Sequence, residues 1–206
     1  MVDTIYWLIF AIPAIILAST FHEYAHAWVA NKLGDPTARA EGRLTLNPLA
    51  HIDPIGAIMM IVAQFGWSKP VPISEYNFDN PVRGTAITAI AGPISNLLLT
   101  IIIWLTYKVL VFSLPITPIT ELVFTFLIVF YVVNISLMIF NLLPIPPLDG
   151  HKIVRALLPT KLRYSWEMLE KYSVIIILIF VLPFSPLSQI TRTIISSTIS
   201  FFLSLL

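Results

Sequence analysis

The chain has 206 residues, of which 57% are apolar and only 11% charged, and its mean hydropathy is +0.88. One water-soluble core cannot bury that much apolar sequence, so the composition excludes an ordinary soluble domain and points to an integral membrane protein in contact with lipid. The absence of cysteine removes disulfides, thiolate ligands and thiol nucleophiles, and a net charge of +1 without a basic block argues against a nucleic-acid partner.

The first apolar stretch runs roughly from Thr4 to Leu33. Asp3 stands where a secretory leader would carry a basic region, and no small-residue cleavage pattern closes the run, so this segment is expected to stay in the mature chain. Its plainly apolar part, Ile5 to Ala18, is only 14 residues, short of the roughly 20 that a span requires. The helix is therefore predicted to continue through "FHEYAHA", residues 21–27. At about 1.5 Å per residue, His22 then lies about 26 Å along a hydrocarbon core about 30 Å thick, just inside one boundary.

His22 and His26 are four residues apart, so on a helix they share a face and can grip one zinc ion, with Glu23 beside it to handle a proton. The rival reading is a pair of histidines capping a helix end, with the glutamate solvated. The cost of ionisable groups inside a membrane weighs against it unless they face a cavity or a partner. A zinc hydrolase needs a third protein ligand and an open fourth position.

Residues 42–81 have a different texture, with Gly42, Gly56 and Gly66 and five prolines expected to break any continuous helix. This segment is predicted to be a membrane-dipping loop that guards the site, with "RLTL" and "KPVPI" as short edge strands. An edge strand there could pair with an extended substrate. His51 and Asp53 lie in this loop, and either could orient a ligand histidine or simply be an interfacial polar residue.

The second span is read at roughly Thr85 to Leu114, with Asn96 in "AGPISN" after Pro93, and the third at Thr120 to Leu143. Asn96 has two readings, close helix packing or substrate contact. The third ligand is sought in "NLLPIPPLDG", residues 141–150, where Pro144, Pro146 and Pro147 force an extended backbone. At membrane depth such backbone is tolerated only where it lines a protein cavity. Asp149 follows directly, and Gly150 permits a tight turn. A surface helix is expected over "YSWEMLEKYS", residues 164–173. A fourth span is read over Tyr172 to Pro183, extended backward through the preceding helical pattern, and Ile190 to Leu206 either spans or lies in the interface. With the N-terminus outside, ten of the 12 basic residues fall on the inner side, which places the zinc site near the cytoplasmic face of a cell membrane.

The expectation is a single domain over residues 1–206: an all-α polytopic membrane protein of about four to six transmembrane helices, with the dipping loop and short strands between the first two. In order along the chain, "FHEYAHA", "GRLTLNPLAHIDPIG", "GWSKPVPI", "AGPISN" and "NLLPIPPLDG" resemble the site-2 protease family of intramembrane zinc metalloproteases, in its compact form without a PDZ domain. The resemblance implies one zinc per chain held by His22, His26 and Asp149, activation of water by Glu23, and a role for Asn141 in holding the substrate or the developing oxyanion. The implied substrate is a transmembrane protein or a signal-peptide-derived segment. The competing function is a proteolytically inactive zinc-binding carrier or scaffold, which would have no use for an acid/base group between its ligands.

Overall fold

The computed structural model describes residues 2–63, 66–181 and 185–205. It is built of helices: α1 (Val2–Lys32), α2 (Thr37–Ala40), α3 (Pro54–Ala63), α4 (Pro81–Ser113), α5 (Pro118–Leu142), α6 (Asp149–Leu157), α7 (Thr160–Glu167), α8 (Ser173–Val181) and α9 (Pro186–Leu203), with short 3₁₀ turns between some of them. The starts of the long helices are written locally. Asn80 accepts from the Arg83 amide ahead of Pro81, and Thr117 and Thr120 form a reciprocal capping box around Pro118. In both cases a side chain satisfies an otherwise unpaired amide, and a proline occupies the one position where its missing N–H costs nothing. The prolines of "PIPP" end α5 at Leu142.

Among the described residues three helices are long and apolar enough to cross a membrane, Trp7–Lys32, Pro81–Ser113 and Pro118–Leu142. This is fewer than the four to six expected. The segment expected as a fourth span contains α8, which has only nine residues, and the rest of that segment, residues 182–183, lies outside the described residues. Helix α9 is 18 residues long but studded with Ser and Thr.

Helices α1, α4 and α5 form the centre of the molecule. The buried stripe of α1 runs Ala14, Ala18, His22, His26 and Ala30, one residue every four. That of α4 runs Gly84, Thr88, Gly92, Asn96 and Thr100. Small side chains on both stripes let the helix backbones approach closely, as helices without a hydrophobic driving force between them require. Ala14 and Ala18 pack against Val133 of α5, with Phe126, Phe130 and Leu137 around them. Farther along, Ile103, Tyr131 and Ile135 form a second cluster that takes in Ile199 and Phe202 of α9. There Tyr131 Oη donates to the Phe202 carbonyl, which also accepts from the Leu205 amide, and Trp104 Nε1 donates to the Leu205 carbonyl beyond the end of α9, both side-chain bonds at 2.9 Å. The outer face of α4 exposes Ile94, Leu98, Ile101, Ile102 and Leu105, an apolar surface suited to lipid rather than water.

The segment between α1 and α4 departs most from expectation. No strand forms among the described residues; the backbone pairing there is an isolated antiparallel bridge between Ile52 and Ser68. Pro70 and Pro72 remove the donors that a ladder through "KPVPI" would need. Part of the predicted loop is instead α3, a ten-residue helix, and Gly56, expected to break a helix, lies inside it. A Cβ at Gly56 would collide with the Trp67 backbone carbonyl, so this glycine serves close approach rather than a turn. Asp35, fully buried after α1, gathers the segment. It accepts from Ser74 N–H and Asn77 Nδ2, each at 2.8 Å, and from Thr37 Oγ1 at 2.5 Å.

Candidate functional site

His22 and His26 emerge from α1 facing α4, and Asp149 reaches them from the first turn of α6. The two Nε2 atoms are 3.0 Å apart, and each is 3.2 Å from Asp149 Oδ2. All three residues are buried, between 6% and 7% exposed in the case of the histidines and Glu23 beside them. The turn at "PIPPLDG" brings Asp149 back to the histidines. Gly150, expected to permit a tight turn, lies within α6, and a Cβ there would strike the carbonyls of Leu142 and Leu143. Glycine is needed for α6 to begin against the end of α5.

The proton positions follow from the partners on the far side of each ring. His26 Nδ1 lies 2.7 Å from the backbone carbonyl of Thr88, which can only accept, so Nδ1 carries the hydrogen. His22 Nδ1 lies 2.7 Å from Asn96 Oδ1. The Asn96 amide is fixed in that orientation because its Nδ2 donates to the carbonyl of Ala18 at 3.2 Å and to Asn134 Oδ1 at 2.9 Å. In that tautomer each ring presents a lone pair at Nε2.

Those two lone pairs meet a carboxylate oxygen that no hydrogen bond satisfies, since Asp149 Oδ2 is buried without a donor. Three converging acceptors repel one another unless a cation sits among them. The nitrogen and oxygen donor set suits zinc, and separations of 3.0–3.2 Å are close to the roughly 3.3 Å between ligand atoms in a tetrahedral site with bonds of about 2.0–2.1 Å. Gly92 of α4 forms the wall behind the histidines, where a Cβ would meet His22 Cε1 at 2.5 Å and Nε2 at 2.6 Å, and would press on His26 Nε2 as well. The residues present thus fit one metal ion.

Family and site geometry now meet. The model of Peptidase family M50 matches residues 10–184. The chain belongs to this family. At 39% identity over 181 residues it is similar to a Bacillus subtilis (strain 168) protein named as zinc metalloprotease YwhC, the match covering 84% of this chain and 81% of that protein. Proteins named as zinc metalloprotease Rip2 are also similar. The one from Mycolicibacterium smegmatis is 30% identical over 69% of this chain and 55% of its own length, and one from Mycobacterium tuberculosis (strain H37Rv) is 23% identical over 81% and 64%. No solved structure matches. This M50 protein is a zinc metalloprotease, and its three long apolar helices accord with a membrane location.

The other residues singled out in the sequence fare differently. Glu23 is anchored, its Oε1 accepting from Ser68 Oγ at 2.8 Å and its Oε2 from the Val71 amide at 3.0 Å. Asn96 does more than pack, since its oxygen faces the His22 ring. Fully buried, it has both amide hydrogens and its oxygen engaged, so it has no donor left for a substrate. His51 and Asp53 do not orient a ligand histidine, because Asn96 and the Thr88 carbonyl hold both Nδ1 positions. His51 Nε2 donates to the Thr45 carbonyl at 2.8 Å, and Asp53 caps α3 through the Gly56 amide at 2.8 Å. Asn141, half-buried, donates back to the Leu137 carbonyl at 2.9 Å within α5. His151 points away from the cluster, stacked on Trp166 with its Nε2 3.1 Å from the Trp166 carbonyl.

Sequence reasoning missed Asn134, the Thr88 carbonyl and Ser68, and read Gly92 only as a small residue that allows close helix approach, not as the wall behind the histidines. Asn134 alone had a visible signal, an amide in the apolar run "YVVNIS", where a polar side chain inside a span needs a partner.

Proposed function

We propose that this M50 protein is an intramembrane endopeptidase that cleaves transmembrane or signal-peptide-derived segments near the cytoplasmic face of the cell membrane. In this reading His22, His26 and Asp149 are the zinc ligands, Glu23 is the general base, and Asn141 holds the substrate chain or the developing oxyanion. Zinc bound there would supply Lewis acidity, polarising the scissile carbonyl and lowering the pKa of a bound water toward about 7. The observation that carries the reading is the convergence of two imidazole lone pairs and an unpaired carboxylate oxygen beside a buried glutamate, on helices apolar enough to lie in lipid.

The chain's own residues then divide the work. Asn96 and the Thr88 carbonyl hold the imidazoles in the tautomer that leaves both Nε2 lone pairs for the metal, so that proton transfer falls to Glu23. Glu23 accepts a proton from the attacking water and returns it to the leaving amine nitrogen. A substrate helix must first unwind, because its carbonyls are already hydrogen-bonded. The prolines of residues 144–147 keep the wall before Asp149 out of a helix; contrary to the extended backbone expected, it runs in tight turns, with Ile145 N–H bonded to Leu143 O at 2.8 Å and Leu148 N–H to Ile145 O at 2.9 Å. Orientation rests on the basic residues, ten of 12 on the side of the metal cluster.

The decisive experiment is Glu23→Gln. The amide preserves shape but cannot accept a proton, so zinc content should stay near one per chain while a membrane-protein fragment produced by the wild type disappears from cells. Undiminished production of that fragment would refute the base assignment. A wild-type chain that binds zinc and generates no fragment would favour the carrier or scaffold.

A further inference from the structure

Arg43 is 5% exposed, and no carboxylate pairs with it among the described residues. Its Nε is buried without an acceptor. A buried cation with no counter-charge is costly, and a position that only filled space would be better served by an apolar side chain. The guanidinium instead reaches two neighbouring backbone carbonyls: Nη2 donates to Lys69 O at 2.7 Å and Nη1 to Pro70 O at 3.3 Å. The residues on either side of that pair, Ser68 and Val71, are the two that donate to Glu23.

We infer that Arg43 is a positioning residue for Glu23: it clamps the carbonyls of residues 69 and 70 so that Ser68 Oγ and the Val71 amide hold the carboxylate in place. The inference rests on the reading of Glu23 as the base. The segment needs such a clamp because Pro70 and Pro72 deny it the donors of a strand, and lateral pairing is limited to the Ile52–Ser68 bridge with its Lys69 N–H to His51 O bond of 2.9 Å. His51 backs the clamp. Its Nε2 hydrogen is committed to the Thr45 carbonyl, which turns the Nδ1 lone pair toward Arg43 Nη2 at 3.5 Å. Lysine could not replace the fork, since a single ammonium cannot span two successive carbonyls in one plane.

The test combines kinetics with a structural readout, using detergent-purified full chain and dye-labelled casein as an already unfolded substrate. Arg43→Lys should lower kcat about tenfold and Arg43→Gln about a hundredfold, with KM changed less than about threefold, because a displacement of the base near 1 Å costs rate rather than binding. Zinc content should stay unchanged. Adding Ser68→Ala to Arg43→Lys should lower kcat by no more than about a further twofold, as expected of residues acting in series. In metal-stripped protein the Val71 amide should exchange about tenfold faster in Arg43→Lys than in the wild type, while amides of α1 keep their protection. Should Arg43→Gln fail to fold, Arg43→Lys and the exchange measurement decide. Wild-type kcat in Arg43→Lys, multiplicative effects in the double variant, or unchanged Val71 exchange would each overturn the clamp. An active Glu23→Gln would overturn the base assignment itself, whereas an inert Glu23→Gln with wild-type Arg43 variants would sink only the clamp.

Discussion

Gly92→Ala adds one methyl group to the wall behind the metal cluster. The new Cβ would stand 2.5 Å from His22 Cε1 and 2.6 Å from its Nε2. Restoring an ordinary contact of 3.4 Å means that the ring retreats by about 0.8–0.9 Å, several times the roughly 0.2 Å within which metal–ligand distances can vary. Retreat is blocked, because Nδ1 of that ring is held by Asn96 and Asn96 is held by Ala18 and Asn134. Zinc affinity should therefore fall at least about a hundredfold, the upper range for disturbing the support of a ligand. Gly84→Ala is the matched control, two steps along the same stripe of α4, where the added Cβ meets the Phe78 side chain rather than a histidine. Elemental analysis after dialysis against a graded zinc buffer gives both affinities in detergent. If Gly92→Ala binds zinc as the wild type does, either the helices separate freely or the ion does not sit between those histidines, and the reasoning fails.

Asn96→Ala should weaken zinc binding roughly 10–100-fold by freeing the His22 ring, and Asn134→Ala less, since it acts one hydrogen bond further out; chelator competition would rank the two. Burial by itself would raise the Asp35 carboxyl, but hydrogen bonds from Thr37, Asn77 and the Ser74 amide bring it below its ordinary 3.8. Its contribution to holding residues 73–78 is then present above that value and is lost as pH falls through the lower folded-state pKa. Asp35→Asn should cost about 1–3 kcal/mol in that segment at neutral pH and flatten its acid sensitivity, read by hydrogen exchange; protection identical to the wild type would contradict this. Single cysteines at Tyr76, 90% exposed, and Ile116, 79% exposed, test orientation. An impermeant maleimide should reach the first only from the cytoplasm and the second only from outside, and the reverse pattern would invert the proposed topology.

The helical grip of His22 and His26 was legible because it depends on a local period. Two residues four apart on a helix share a face wherever that helix goes, and the apolar runs around them made helix α1 certain. Capping residues and prolines set the starts of α4 and α5 in the same local way. The segment between α1 and α4 was misread because its signals conflict. Gly56 argues against a helix by propensity, yet α3 forms since the glycine lets it press on the Trp67 backbone, a contact that exists only after folding. The role of Asn96 was likewise out of reach. Its bond to His22 joins residues 74 apart, and the Thr88 carbonyl meets His26 across 62. The sequence by itself determined which groups could bind a metal and move a proton. Only the tertiary structure decided the tautomers, the wall at Gly92 and the hold on Glu23, because each depends on which helix backbones come close enough to touch.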